Sequence, residues 1–339
     1  VPPHMDQYLK FSKIVREIYM RYSSEVEAFG IDESWIELTG APLLKERTPH
    51  EIADEIRNTV KSEVGLTVSI GISFNKIFAK LGSDMKKPDA VTEIGRDTFR
   101  DQVWPLPVSD LLYVGSATAE KLGRYCIRTI GELANTERDI LRSLLGINGE
   151  KIWAYANGLD ASRVMPCDYT PPIKSIGHGI TCTADLVSEP EVRGVFLELS
   201  QDIGLKLRKQ GLAANGVRIT VRNNTLSHRQ YQCKLPFPTQ SYLEIYDAGI
   251  DLFHRRYSWS NNIRSLTISA IDLISADTPV QLDLWTDMSK HKRRIRLEET
   301  IEDIRRRFGL HAINFAAAGS MKIPVQSDIE YKMPSVMYQ

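Results

Sequence analysis

The sequence predicts an α+β chain of two or three domains. Three observations point there. With 339 residues the chain exceeds what one ordinary hydrophobic core organises. Apolar residues switch repeatedly between helical spacing and strict alternation. A proline-rich stretch around Met165–Pro172, with little apolar periodicity, separates a first half from a second half that reads β-α-β-β-α-β.

Tyr8, Leu9, Phe11, Ile14, Val15, Ile18 and Tyr19 recur at helical spacing, which predicts an amphipathic helix from Asp6 to about Ser23. Val26, Phe29 and Ile31 alternate ahead of Asp32-Glu33, and Trp35, Ile36 and Leu38 continue beyond. The pattern is a strand hairpin with carboxylates near its turn. Thr48-Pro49-His50-Glu51 combines a cap residue, a first-turn proline and an N3 glutamate, and the helix it opens should run to Val64-Gly65. Thr67 to Ser73 is β-branched and alternating, a strand. Asn75 caps a further helix carrying Ile77, Phe78, Leu81 and Met85, which stops before Pro88 because a residue preceding proline avoids helical angles. The order is that of a sheet carrying helices on one face.

Pro105 and Pro107 then punctuate the chain. Up to about Leu159 it is helical, with short connections at Gly115, Gly123, Gly131, Gly146 and Gly149. Beyond the proline-rich stretch, 180–186, 216–222, 231–235 and 266–274 read as strands, with helices near 189–210 and 239–257 between them. The last element, Lys290 to Phe308, is a helix with a basic first half and with Ile301, Ile304 and Phe308 on one face.

Composition narrows the function classes. No apolar run reaches the roughly 18 residues that span a bilayer, and the opening VPPHMDQYLK is not a signal peptide, so a cytoplasmic protein without a membrane partner is expected. Cys126, Cys167, Cys182 and Cys233 are scattered, with neither C-x-x-C spacing nor a nearby histidine at zinc-ligand distance, and are expected to be free thiols. Charge is balanced overall, yet carboxylates exceed Lys and Arg before residue 103 and the reverse holds from about residue 174. That drift fits an acidic metal-binding part joined to a basic part that follows phosphates, and equally fits solvated helix faces.

Asp32 and Glu33, adjacent at a strand turn, are the sharpest chemical feature of the first half. Carboxylates at a sheet rim supply the hard oxygens that Mg²⁺ requires, and paired divalent ions stabilise both attacking and leaving oxygens in phosphoryl transfer. By spacing alone the pair is equally a solvated turn. Context decides between them. GIDESWIELTG, followed some thirty-odd residues later by SIGISFNKIFAKLGSDMKKPDA, resembles the catalytic palm of Y-family (translesion) DNA polymerases of the bacterial DNA polymerase IV type.

The resemblance implies a multidomain α+β polymerase with a partial palm (1–102), a helical thumb (103–165), a linker (166–174), a little finger (175–276), and a C-terminal clamp-binding peptide, basic helix and tail (277–339). It puts Asp32 and Glu33 at catalytic metal-ligand positions for two Mg²⁺, and Lys87 at the lysine reaching the phosphates of an incoming dNTP. Gly30 departs from the family's serine and is expected to alter local backbone freedom more than metal binding. Lys76, Lys80 and Lys86 either face phosphate or form a solvated helix face. LLYVGSATAEKL looks like the family's helix-hairpin-helix, with backbone N–H donors at Gly115, Ser116, Ala117 and Thr118 and support from Lys121 on a DNA phosphate. Helix packing alone is the other reading.

Lys174-Ser175-Ile176-Gly177-His178 opens a region similar to the little finger, so Ser175, Arg218, Arg222, Arg264 and Ser265 are expected to contact primer-template DNA. Strand arginines also simply line the polar side of a half-buried sheet. Gln281, Leu282, Leu284 and Trp285 resemble the bacterial sliding-clamp peptide, with Trp in place of the usual Phe, and a buried aliphatic segment is the other reading.

The match starts at the helix following the fingers. The family's first strand, with its Asp-x-Asp and the aromatic that excludes ribonucleotides, and the whole fingers domain are therefore expected to lie outside this sequence. A chain so composed is expected to lack one metal ligand and to be inactive alone. The resemblance implies, for the intact protein, a monomeric, error-prone DNA-directed DNA polymerase acting across damaged bases. A non-catalytic, clamp-tethered DNA-binding accessory protein is the alternative from a different class, and a metal-dependent nuclease a third.

Overall fold

The computed structural model describes residues 4–279, 288–309 and 312–315. They form two compact units, the first closing at Pro171 and the second opening at Pro172.

In the first unit, helix α1 (Met5–Tyr19) leads into the hairpin β1 (Val26–Ala28) and β2 (Ser34–Ile36), paired antiparallel with Val26 opposite Ile36. Helix α1 stops four residues short of the expected end, at Met20. Helix α2 (Pro49–Val64) starts as its sequence dictates. Thr48 Oγ1 accepts from the Glu51 N–H at 3.2 Å, and the Glu51 carboxylate accepts from the Thr48 N–H at 2.8 Å. It ends at Gly65, whose φ of 74° is left-handed backbone that glycine adopts without a Cβ penalty.

Strand β3 (Ile70–Ser73) is shorter than expected, because 66–69 make no ladder. It runs parallel to a strand the sequence reading missed, β4 (Val91–Ile94), with helix α3 (Lys76–Met85) as the crossover. Four residues between Ala90 and Gly95 are too few for periodicity to register. The hairpin and the β3–β4 pair are separate ladders rather than the one sheet expected. Gly71 fixes how closely the crossover packs: a Cβ there would fall 1.9 Å from Ala79 O and 2.5 Å from Ser83 N, so α3 lies flush on the strand.

Helices α4 (Phe99–Val103), α5 (Ser116–Gly123), α6 (Ile130–Asn135), α7 (Arg138–Leu145) and α8 (Ile147–Ala156) complete the unit. One apolar cluster runs unbroken from Ile77, Phe78 and Leu81 of α3 through Leu111 and Leu122 to Leu141 and Ile152. Each such fully buried side chain contributes about 1.5–3 kcal/mol, so the helices hold α3 in place from behind.

The second unit has the expected β-α-β-β-α-β order: β5 (Ser175–Leu186), α9 (Glu189–Gln210), β6 (Leu212–Asn223), β7 (His228–Thr239), α10 (Tyr242–Arg256) and β8 (Ile263–Ser275). The strands make one antiparallel sheet in the order β5-β8-β6-β7. They exceed their expected lengths because the added residues, Gly177 and Gly179 among them, lack apolar alternation. Val217, Ile219, Val221, Leu266 and Ile268 bury one sheet face against α9 and α10.

Helix α11 (Met288–Phe308) docks on the helical side of this unit. Its seam differs from expectation. Ile301 is buried, but Phe308 is 69% exposed, and the most enclosed side chain is Glu298, at 0%.

Candidate active site and nucleic-acid interface

The β1–β2 turn closes on itself: the Phe29 and Gly30 N–H groups both donate to Glu33 O, at 2.9 and 3.3 Å. Gly30 does not use left-handed backbone, and a Cβ there would rest 3.5 Å from Asp32 Oδ1, an ordinary contact. The expected gain in backbone freedom is therefore not exercised. Trp35 staples the hairpin to the start of α3. Its indole N–H donates to Lys76 O at 3.0 Å, its ring packs 4.7 Å from Phe29, and the Lys76 ammonium sits 4.9 Å over it.

This staple sets Asp32 and Glu33 in the lining of a cleft of about 960 Å³, which Lys80 and Lys87 also line. Asp32 is exposed and Glu33 half-buried. Lys80, whose side chain is 16% exposed, bridges Glu33 at 3.0 Å and Asp84 at 2.5 Å. Burial alone would lower the Lys80 pKa, but its hydrogen bonds to Asp84 and Glu33 outweigh burial and raise it. Burial pushes Asp84 up, and its bonds to Lys80 and Lys87 more than reverse that, leaving it below the usual aspartate value. Lys87 is 57% exposed and pairs with Asp84 at 2.8 Å. Lys76, 11% exposed, pairs with Glu27 at 2.5 Å, and Glu27 also accepts from the Met165 N–H at 2.8 Å. Lys76 and Lys80 are thus enclosed, ion-paired groups rather than a solvated helix face.

Sequence reasoning missed Asp84 and Glu27. Asp84 lies inside the quoted stretch, four residues after Lys80 and three before Lys87, so helical spacing could have found it. Glu27 acquires its role only when α3 folds over the hairpin.

In the second unit the sheet face turned away from α9 and α10 is polar over the rows that carry the arginines, with Ile271 an apolar member of the row beyond. Antiparallel register places directly opposed residues on one side of the sheet. One row reads Gly177, Ser269, Arg218, Gln232, and another reads Thr181, Ser265, Arg222, His228. The structure therefore brings Arg218, Arg222 and Ser265 together on one surface. Ser175 stands at the start of β5 opposite Ile271, one row beyond. Arg264 lies apart from them at the irregularity where β8 changes register, and pairs with Asp185 at 3.4 Å.

Sequence comparison agrees with this architecture. Residues 1–84 match the impB/mucB/samB family, and residues 173–284 match the impB/mucB/samB family C-terminal domain. A DNA polymerase IV of Acetivibrio thermocellus is 41% identical over 306 residues, covering 90% of this chain and 76% of the relative. One from Clostridium kluyveri is 33% identical over 317 residues, covering 91% and 78%. The chain belongs to the Y-family DNA polymerases, DNA polymerase IV type. In three dimensions it resembles a solved Y-family DNA polymerase chimera with a TM-score of 0.68 and 18% identity, over 81% of this chain and 78% of the other, which supports the fold.

Y-family polymerases generally depend on divalent metal ions, and the donor set fits such an ion in part. A small hard cation bound for phosphoryl transfer takes one or two carboxylates, and water or substrate phosphate completes its shell. Asp32 and Glu33 are two carboxylates on an open cleft, and among the described residues no group of three or more His, Cys, Asp or Glu converges on a metal position.

In the helical part, Gly115 precedes α5 without a side-chain cap, leaving the N–H groups of Ser116, Ala117 and Thr118 at a free helix start. Lys121 does not extend toward that end. Its ammonium donates to Leu144 O at 2.6 Å, tying α5 to the last turn of α7. The peptide at 281–285, with Gln281, Leu282, Leu284 and Trp285, lies outside the described residues. Among the described residues no helix is long and apolar enough to cross a membrane.

Proposed function

We propose that the chain is the DNA-synthesising body of an error-prone translesion polymerase, joining an incoming dNTP to a primer 3′ end on a template strand. The observation that carries this is the hairpin turn: it sets Asp32 and Glu33 in the lining of a cleft that Lys80 and Lys87 also line, with Lys80 3.0 Å from Glu33. Asp32 and Glu33 would each contribute a carboxylate to a two-Mg²⁺ centre that needs a further ligand. Bound there, the ions supply activation of the 3′ hydroxyl and shielding of the leaving pyrophosphate. Lys80 already has Asp84 as a second partner, so Glu33 exchanges its ammonium for a cation without leaving Lys80 unpaired. Lys87 is tethered only to an exposed Asp84 and is the lysine free to swing to a triphosphate.

In this reading α1 to β4 form the palm and α4 to α8 the thumb, 166–174 is the linker, and residues 175–276 are the little finger. The N–H groups at 115–118 take a primer-template phosphate, and the open sheet face with Arg218 and Arg222 follows the duplex backbone without reading sequence. Arg264 and Ser175 serve at its margins. The peptide at 281–285 would tether the polymerase to a sliding clamp, with Leu284 and Trp285 as pocket-filling anchors.

Extension of a labelled primer by the intact protein, the form for which polymerase activity is expected, on an undamaged template and on one with an abasic site, tests the reading. Dependence on Mg²⁺ and on dNTP is expected with both templates. Degradation of the primer with Mg²⁺ and no nucleotides would establish a nuclease instead. Duplex binding that persists with no extension under any condition would establish an accessory protein.

A further inference from the structure

Helix α11 divides its charges between two sides. The inward stripe is spent on the body of the second unit: His291 Nδ1 lies 3.0 Å from Glu244, Arg294 pairs with Asp247 at 2.8 Å, and Glu298 is buried against Ser241 and Arg208. The outward side differs between its halves. In the second half Asp303 neutralises Arg306 and Arg307. In the first half, residues 288–297 contain no acid, and Lys292, Arg293 and Arg296 are exposed. Among the described residues none of these three has a side-chain hydrogen-bond or ion-pair partner: Glu244 and Asp247 serve His291 and Arg294, and the exposed Glu299, three residues after Arg296, makes no ion pair with it. From Lys292 to Arg296 is about 6 Å along a helix, a single cationic patch.

We propose that this half of α11 is a second DNA-binding surface, taking the phosphates of a duplex segment other than the one on the open sheet face. It lies on the other side of the unit: α11 attaches to α9 through Arg208 and to α10 through Ser241, and its His291 ring packs 4.9 Å from Phe237 of β7. The Arg208 and Ser241 contacts belong to the helical layer, and Phe237 belongs to β7, the strand at one edge of the sheet. One straight duplex on Arg218 and Arg222 does not reach it.

Charge complementarity selects the partner. A lipid surface requires a continuous apolar helix face, whereas on α11 Ile301 is buried and the exposed Leu297 and Phe308 stand far apart along the helix. A protein interface core is depleted in lysine and other charges, whereas three unpaired cations on one turn suit a phosphate ridge. The proposal rests on the reading that the sheet face holds DNA, and the test separates the two.

Short-duplex binding by the full chain is measured as stoichiometry at low salt and as the slope of log K against log salt. The wild type is expected to bind two duplexes. Lys292→Gln/Arg293→Gln/Arg296→Gln is expected to bind one, with the slope shallower by about 2.7, near 0.9 per lost phosphate contact. Its circular dichroism and melting temperature stay unchanged, because no partner is lost. Arg218→Gln/Arg222→Gln is expected to bind one duplex at α11. A triple variant with wild-type stoichiometry and slope overturns the proposal and leaves the sheet reading intact. An Arg218→Gln/Arg222→Gln variant that binds like wild type, beside a triple variant that has lost binding, overturns the sheet reading and supports the α11 surface. Tighter binding of phosphatidylserine vesicles than of duplex through the same three residues also overturns it.

Discussion

The catalytic cleft and the open sheet face handle positive charge in opposite ways. In the cleft each inward lysine is already spent: Lys76 on Glu27, Lys80 on Glu33 and Asp84, Lys87 on Asp84. On the sheet face Arg218 and Arg222 stand in rows of Ser, Thr, Gln and Gly, with no carboxylate opposite them in the register. Under the proposed function the difference separates chemistry from grip: the cleft lysines are held by carboxylates until metal and nucleotide take those partners' places, while Arg218 and Arg222 face no carboxylate across the ladder and offer their charge to phosphates.

The comparison breaks first at the acids. Asp32→Asn combined with Glu33→Gln should reduce primer extension on the order of a thousandfold, with duplex affinity unchanged, in single-turnover kinetics and anisotropy on the same samples. A parallel loss of affinity would mean that cleft and grip are not separate.

Next in size is Glu298, which accepts from Ser241 Oγ at 2.5 Å, from the Tyr242 and Leu243 N–H groups, and from Arg208 at 3.1 Å. Glu298→Ala leaves a largely buried guanidinium short of a partner and should destabilise the second unit by about 3 kcal/mol in urea unfolding, without touching the first. Arg218→Gln/Arg222→Gln should weaken sheet-face binding by roughly tenfold or more at moderate salt and flatten that site's salt slope by about 2. Extension under saturating DNA should be unchanged. Thr48→Ala removes one half of a capping box and should cost about 1 kcal/mol in the first unit alone.

A pH series sharpens the contrast inside the second unit. Burial holds Glu298 above the usual glutamate pKa despite its hydrogen bonds. Its contribution is therefore complete below the unfolded value and lost as pH rises through the folded one. For Asp202, burial raises the pKa, but His178 and Lys206 outweigh it and leave a net lowering. That contribution is present above the unfolded value and lost as pH falls through the folded one. Relative to wild type, the melting temperature of Glu298→Gln should improve from pH 3 to 7 and that of Asp202→Asn should worsen.

Much of this was legible in the sequence wherever local chemistry dictates the outcome. The capping box at Thr48, the Asn75 cap, the hairpin around Asp32-Glu33 and the order of the second unit follow from residue type and spacing. Strand β4 did not, because four residues in a parallel pair owe their conformation to β3 and not to their own pattern. The flush fit of α3 at Gly71 and the pairs Lys76–Glu27 and Lys80–Glu33 were hidden for a related reason: those glutamates meet the lysines only through tertiary folding, whereas Asp84 is an i,i+4 neighbour of Lys80 that spacing alone could have shown. Lys121 and Phe308 misled because charge and apolarity alone do not say which side of a helix the neighbours occupy. The buried Glu298 ran against the expectation that a glutamate stays in water.

Metal ligation by Asp32 is the claim on which the catalytic account depends, and a change of ligand hardness addresses it directly. Asp32→Cys places a soft thiolate where a hard carboxylate stood. Primer extension by that enzyme should be nearly lost with Mg²⁺ and regained in part with Cd²⁺ or Mn²⁺, while the wild type prefers Mg²⁺. Equal metal preference in the two enzymes, or full activity of the variant with Mg²⁺, would show that Asp32 does not hold the ion.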